Sequence, residues 1–114
     1  VSNELQTNLR HLENASIVDL LGDVTATSDA ILTTAYTAAT DSGKLIVLNF
    51  EEASYINSAG IAIILSLLNR ARTNGRRVVL TSLSSHYQKI FHMVGLDQFA
   101  TIYESEQAAL SAAV

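Results

Sequence analysis

The chain contains no cysteine and no proline. Without a thiol there is no disulfide, no thiolate nucleophile and no cysteine-based metal site. With no proline and no low-complexity stretch, no linker divides the chain. No apolar run reaches the roughly 20 residues of a membrane span, and no signal peptide is visible. The expectation is a soluble, cytoplasmic protein with no membrane association. Charge is also scarce, at 16% of residues. A low value leaves surface for a partner to cover, although Ala-rich helices give the same figure. Seven Lys and Arg stand against eleven Asp and Glu, for a net charge of −4. That balance argues against nucleic acid as the main partner. There is no basic stripe along the chain, only the doublet Arg76-Arg77 and scattered cations.

Hydrophobic residues are what the chain has in quantity, 48% of 114. This suffices for one core and is too little for two domains, so a single domain over residues 1–114 is expected. Residues 4–13 read as a weak first strand, with Leu5, Leu9 and Leu12 among polar neighbours. Glu13-Asn14-Ala15 reads as a turn, and residues 16–21 as a second strand ended by Gly22. So short a connection forces an antiparallel hairpin. Thr27 or Ser28 caps a helix to about Thr40, with Ile31, Leu32, Ala35 and Ala39 on one face and Gly43 as the stop. Leu45-Ile46-Val47-Leu48 is a continuous apolar run, the pattern of a strand covered on both faces.

The segment from Ser58 to about Thr73 reads as the most hydrophobic helix. Ile61, Ile63, Ile64, Leu65, Leu67 and Leu68 imply burial on more than one side. Asn74-Gly75 ends it. Val78-Val79-Leu80 is a short buried strand. Ser84 or Ser85 starts a third helix that ends before Gly95, with Phe91 and Met93 expected in the core. Residues 99–103 form an edge strand, and Ser105 caps a last helix with Glu106 in its first turn. The order β-β-α-β-α-β-α-β-α makes an α/β fold: a mixed five-stranded sheet, first strand antiparallel, the rest parallel through right-handed crossovers, packed with about four helices.

Catalytic chemistry needs a nucleophile with a base, paired carboxylates or a metal cluster. None is apparent. His86 and His92, six residues apart on one helix, do not share a face for a metal, and His11 lies on the edge strand. The glycines form neither a dinucleotide fingerprint nor a Walker loop. No enzyme activity, cofactor or metal is therefore expected. Ser58 is the informative residue. Placed between a strand and an apolar helix, it is expected to be the helix N-cap, where a phosphate is also well accommodated. Gly60, in the first helical turn, would let a partner or phosphate donor approach it. Loops after the carboxyl ends of parallel strands gather on one edge, which places residues 22–27, with Asp23, beside residues 51–57.

The run Leu45-Ile46-Val47-Leu48-Asn49-Phe50-Glu51-Glu52-Ala53-Ser54-Tyr55-Ile56-Asn57-Ser58-Ala59-Gly60 and the apolar helix after it resemble the STAS domain. That family includes anti-sigma factor antagonists and the cytoplasmic tails of sulfate transporters. Its pattern is an apolar strand, a short acidic loop, Asp-Ser-[Ser/Thr/Ala]-Gly and an apolar helix. Leu21-Gly22-Asp23-Val24, Arg76-Arg77-Val78-Val79-Leu80 and Phe91-His92-Met93-Val94-Gly95-Leu96-Asp97 extend the likeness in the family's order. The chain departs from it at Asn57, where the family has Asp, and at Thr25, where many members have Asp. Asn57 can accept a hydrogen bond but cannot act as a base.

The resemblance implies a partner-switching protein, a monomer or weak dimer. It would bind an anti-sigma factor that is itself a serine kinase, be released when Ser58 is phosphorylated, and be reset by a serine phosphatase. The implied partner surface comprises Asp23, Thr25, Tyr55, Ile56, Asn57, Ser58, Ala59 and Gly60. Tyr55 and Ile56 are expected outside regular elements, either as interface residues or as a lid over the top of the core. Two other STAS roles stay open: a scaffold that accepts no phosphate, which Asn57 and Thr25 favour, and a ligand-binding or transporter-associated domain.

Overall fold

The computed structural model describes residues 3–112 of the 114; the four terminal residues of the domain expected over 1–114 lie outside that range. Strands β1 (Gln6–His11), β2 (Ala15–Val24), β3 (Leu45–Ile56), β4 (Val78–Thr81) and β5 (Ile102–Tyr103) form one sheet in sequence order. β1 is antiparallel to β2, and every later pairing is parallel. Helices α1 (Asp29–Thr40), α2 (Ser58–Thr73) and α3 (Ser85–Met93) connect the parallel strands, and α4 (Glu106–Ala112) follows β5.

Parallel neighbours taken in order, each joined by a right-handed crossover, put every connecting helix on the same side of the sheet. The core shows this. Val18, Leu20, Ile46, Leu48, Phe50 and Leu80 point into one cluster with Leu32, Ile64, Leu68 and Phe91 of the three connecting helices. The alternate residues Ile17, Val47 and Val79 meet Ala109 of α4 on the other side. The apolar run of β3 is buried on both faces because α4 covers the second one.

Several boundaries differ from expectation. β2 does not stop at Gly22 but passes through it. Gly22 has φ +105°, and a Cβ there would meet the Asn3 carbonyl at 2.8 Å. Its bare Cα admits the N-terminal segment, whose Asn3 carbonyl accepts the Asp23 N–H at 2.9 Å. β1 and β5 are shorter than expected, and α1 is entered through a 3-10 turn, Ala26–Ser28. α2 is buried on one side only, through Gly60, Ile64, Leu67, Leu68 and Ala71, while Ile61, Ile63 and Leu65 are half-buried.

Phe91 is in the core, but Met93 is 81% exposed. α3 is a short helix whose inward face is Tyr87, Ile90 and Phe91, and at 100° per residue Met93 falls outside it. Among the described residues no helix is long and apolar enough to cross a membrane.

The sheet face beyond α4 is polar and cross-linked. Arg10 donates two hydrogen bonds to Asp19, at 2.7 and 2.8 Å, and also binds Glu106 of α4. Asn49 donates to the same Asp19 carboxylate at 2.8 Å, and Asn8 donates at 3.2 Å. One carboxylate thus ties together the three strands β1, β2 and β3, and Arg10 extends the tie to α4. The Arg10 hydrogen bonds, and then those from Asn49 and Asn8, hold the Asp19 carboxyl below the usual range against the opposing effect of burial.

The unfolded chain therefore binds more protons than the folded one as pH drops below about 4, the ordinary value for an aspartate. The stabilisation is present above that value and lost as pH falls through the lowered folded-state value. Asp19→Asn should flatten the acid limb of stability measured by urea unfolding from pH 7 to 3. An unchanged slope would remove Asp19 from the account.

Candidate partner-binding surface

The expected acidic loop at residues 51–57 does not exist as a loop. β3 runs on to Ile56, paired with β2 the whole way: Gly22 with Ala53, Asp23 with Tyr55, and Val24 with Ile56. Between the Asp19–Asn49 and Val24–Ile56 pairs, β2 advances five residues and β3 seven, so β3 carries two extra residues at two register shifts. Each bulge inverts the inside–outside alternation. Phe50 points inward, Ala53 packs against the core after the first inversion, and Ile56 returns inward after the second. Tyr55 is left facing out. Tyr55 and Ile56, expected to lie together outside regular structure, are thus strand residues with opposite fates: Tyr55 is 54% exposed and Ile56 only 4%. Ile56 belongs to the core, and Tyr55 alone of the two offers surface.

The N-cap of α2 is Asn57, not Ser58. Asn57 is extended (φ −90°, ψ 178°), and its amide oxygen accepts the Gly60 N–H at 2.8 Å. A cap of this type is worth about 1 kcal/mol. Its backbone N–H donates to the Val24 carbonyl at 3.2 Å, fastening the start of α2 to the end of β2. Ser58 is the first residue within the helix and is exposed, as is Ala59. Among the described residues no hydrogen bond holds the Ser58 hydroxyl. The capping work falls to its neighbour, and the serine Oγ stands free at the positive end of a 16-residue helix dipole.

Gly60, expected to admit an approaching partner, is buried. A Cβ there would lie 2.1 Å from the Val24 carbonyl oxygen, so the missing side chain makes room for β2 rather than for another molecule. Asp23 and Thr25 do border the Ser58 segment. The Asp23 carboxylate accepts from the Asn3 amide at 3.2 Å. The Thr25 N–H donates to Ser28 Oγ at 2.9 Å, and the Thr25 hydroxyl lies 3.1 Å from that of Thr27.

The structure adds one residue that the sequence did not single out. The Ile56 N–H donates to the Tyr87 hydroxyl at 2.9 Å, linking α3 to the strand end just before Ser58. The two residues are 31 positions apart, and no spacing rule connects them. Among the described residues no group of three His, Cys, Asp or Glu side chains is arranged to hold a metal ion.

Asp23, expected to begin a loop, is a residue of β2, and only Thr25 lies beyond the strand. The surface is therefore an exposed serine, a flanking tyrosine, and the end of β2 with Asp23 and the following Thr25, at a strand–helix junction. The STAS domain profile matches residues 6–109. The chain is 26% identical over 115 aligned positions to the anti-sigma-F factor antagonist RsfA of Mycobacterium tuberculosis, covering 98% of this chain and 90% of that protein. Its fold matches the crystal structure of an anti-sigma factor antagonist from Mycobacterium paratuberculosis with a TM-score of 0.78 at 20% identity, over 99% of this chain and 98% of the other. It also matches the Bacillus cell fate determinant SpoIIAA in its phosphorylated form, with a TM-score of 0.67 at 20% identity, over 94% of this chain and 99% of the other. By its profile match and its fold, the chain belongs to the STAS domain family.

Proposed function

We propose that this protein is an anti-sigma factor antagonist that works by partner switching in the bacterial cytoplasm. Unphosphorylated, it docks an anti-sigma factor through Ser58, Ala59, Tyr55 and the end of β2 at Asp23 with the following Thr25, and the sigma factor is released. The anti-sigma factor is also a serine kinase. It transfers the terminal phosphoryl group of ATP to Ser58 Oγ, ADP leaves, and the complex separates. A serine phosphatase then hydrolyses the ester with water and releases inorganic phosphate. In this scheme the chain is a substrate and a binding partner, not a catalyst.

The observation that carries this proposal is the exposed, unengaged hydroxyl of Ser58 at the first position of α2. A phosphate there adds a charge of about −1.5 to −2, and the backbone N–H groups of the first helical turn tolerate it. The fold survives, and the interface carries the penalty. Asn57 cannot take the hydroxyl proton, so the base belongs to the kinase. The likeness to RsfA, and to a protein of this fold known in phosphorylated form, supports the same function.

The test is transfer of labelled phosphate from ATP by the serine-kinase anti-sigma factor of the source organism. Wild type should be labelled and Ser58→Ala should not. Equal labelling of both would remove Ser58 from the mechanism.

A further inference from the structure

The edge of the sheet opposite Ser58 gathers cations that are dispersed in sequence. Three turns meet there: the β1–β2 hairpin, the α1–β3 turn and the α2–β4 turn. They form an open pocket of about 320 Å³ walled by Asn14, Gly43, Lys44, Leu45, Gly75, Arg76 and Arg77. Three of these seven are cations and none is an acid. The turns are tied to one another. Lys44 Nζ donates to the Leu12 carbonyl at 2.7 Å, the Ile46 N–H donates to the Arg77 carbonyl at 2.9 Å, and the Arg76 guanidinium comes within 4.0 Å of where a Cβ on Gly43 would lie.

Apart from the one Lys44 bond to the Leu12 carbonyl, these cations make no side-chain hydrogen bond among the described residues. Among the described residues no carboxylate lies within ion-pair distance of Lys44, Arg76 or Arg77, whereas Arg10 is fully engaged by Asp19 and Glu106. The helix-end carbonyls nearby are satisfied by backbone: Thr40 by the Gly43 N–H, Ala71 by the Arg76 N–H and Arg72 by the Gly75 N–H. Arg72 itself is drawn away over the Phe99 ring, 5.7 Å from its centre. Glu13 and Asp41 stand in the adjoining turns, exposed and outside the pocket wall. Two guanidinium forks, a lysine with donors to spare and an asparagine amide are the groups that bind phosphate oxygens. Two bare glycines in the wall allow a close approach.

We propose that this pocket is an anion site that takes a phosphate group, at the end of the domain remote from Ser58 and independent of partner docking there. The probe is inorganic pyrophosphate, followed by thermal denaturation and by titration calorimetry at matched ionic strength. Because a ligand that binds only the folded state raises the melting temperature, wild type should melt higher in pyrophosphate than in sodium chloride of equal ionic strength.

Arg76→Gln/Arg77→Gln should weaken binding at least tenfold. Arg76→Lys/Arg77→Lys should retain most of it, and Lys89→Gln on α3 should leave it unchanged. Both substituted arginines are exposed, and circular dichroism would confirm the fold. A parallel arm sediments the protein with phosphatidylcholine vesicles with and without phosphatidylglycerol. Capture dependent on phosphatidylglycerol and lost in the Gln variant identifies a lipid headgroup as the source of the phosphate; pyrophosphate binding without capture identifies a free one. The proposal is overturned if neither probe binds beyond the salt-matched control, if the Gln variant binds like wild type, or if Ser58→Ala weakens binding as much as the arginine changes do.

Discussion

Gly60→Ala is expected to destabilise the domain by about 2–3 kcal/mol, although alanine is the better helix former. The two effects oppose each other. Helix propensity favours alanine over glycine by about 1 kcal/mol. Against it, the new methyl would sit 2.1 Å from the Val24 carbonyl oxygen and 2.7 Å from its carbon. Those are backbone atoms, with no flexible side chain to swing aside. Relief requires α2 to draw back from β2, which strains the hydrogen bond from Asn57 to Val24 and opens the packing of Ile64 and Leu68 beneath.

Overpacking in a rigid setting costs about 1–3 kcal/mol and sometimes more. A clash with backbone at 2.1 Å lies at the top of that range or above it, about 3–4 kcal/mol, which leaves about 2–3 kcal/mol after the propensity gain. For a domain of this size the net loss corresponds to a fall in melting temperature of about 10 °C or more. A variant that melts within 2 °C or so of wild type would show that the junction yields without cost. The same displacement moves Ser58 relative to Asp23 at the end of β2, so partner binding should suffer even where the variant still folds.

Ser58→Asp is expected to separate binding from folding. The carboxylate would stand at the N-terminus of α2, where negative charge is stabilising by about 0.3–1 kcal/mol, so the melting temperature should hold or rise slightly. Affinity for the anti-sigma factor should fall by about 30-fold to several thousandfold. A charge left unpaired in a desolvated interface costs about 2–5 kcal/mol, and each 1.4 kcal/mol is tenfold in affinity. Calorimetric titration of the anti-sigma factor with wild type, Ser58→Ala and Ser58→Asp reads the difference directly. Ser58→Ala should bind close to wild type because it adds no charge. If Ser58→Asp bound as tightly as wild type, the docking surface would lie elsewhere, and a scaffold role without phosphate control would take its place.

How much of this was legible in the residues depended on the range of the forces involved. The span of α2 and its C-terminal stop are legible, and its N-cap is displaced by one residue, because an apolar periodic run that begins at Ser58 and ends at Asn74-Gly75 is a local signal. The hairpin followed from the short connection, and the parallel order from helices standing between strands. β3 was read as four residues and has twelve. Past Leu48 its alternation is broken twice, and only pairing with β2 reveals the two bulges that break it. The same bulges explain why Ile56 is core and Tyr55 is surface, a choice that their shared apolar character hides. The cap was assigned to Ser58 although Asn57 is equally suited by residue type. The decision rests on which residue stays extended, and the bond from Asn57 to Val24 settles that. The apolar character of Met93 points to the core, yet the phase of a short helix is set by its anchors Tyr87 and Phe91, and Met93 is exposed.

From the residues alone came the secondary-structure order, the mixed sheet and the position of a serine at the head of the longest apolar helix. Those follow from periodicity and stop signals within a turn or two of each residue. Tertiary structure decided which side chains face water and which lie together. It freed the Ser58 hydroxyl by giving the cap to Asn57, used Gly60 to seat β2, and brought Lys44 to the Arg76-Arg77 doublet across more than thirty positions of chain. Contacts of that kind depend on strand register and close packing between distant segments, and no local pattern encodes either.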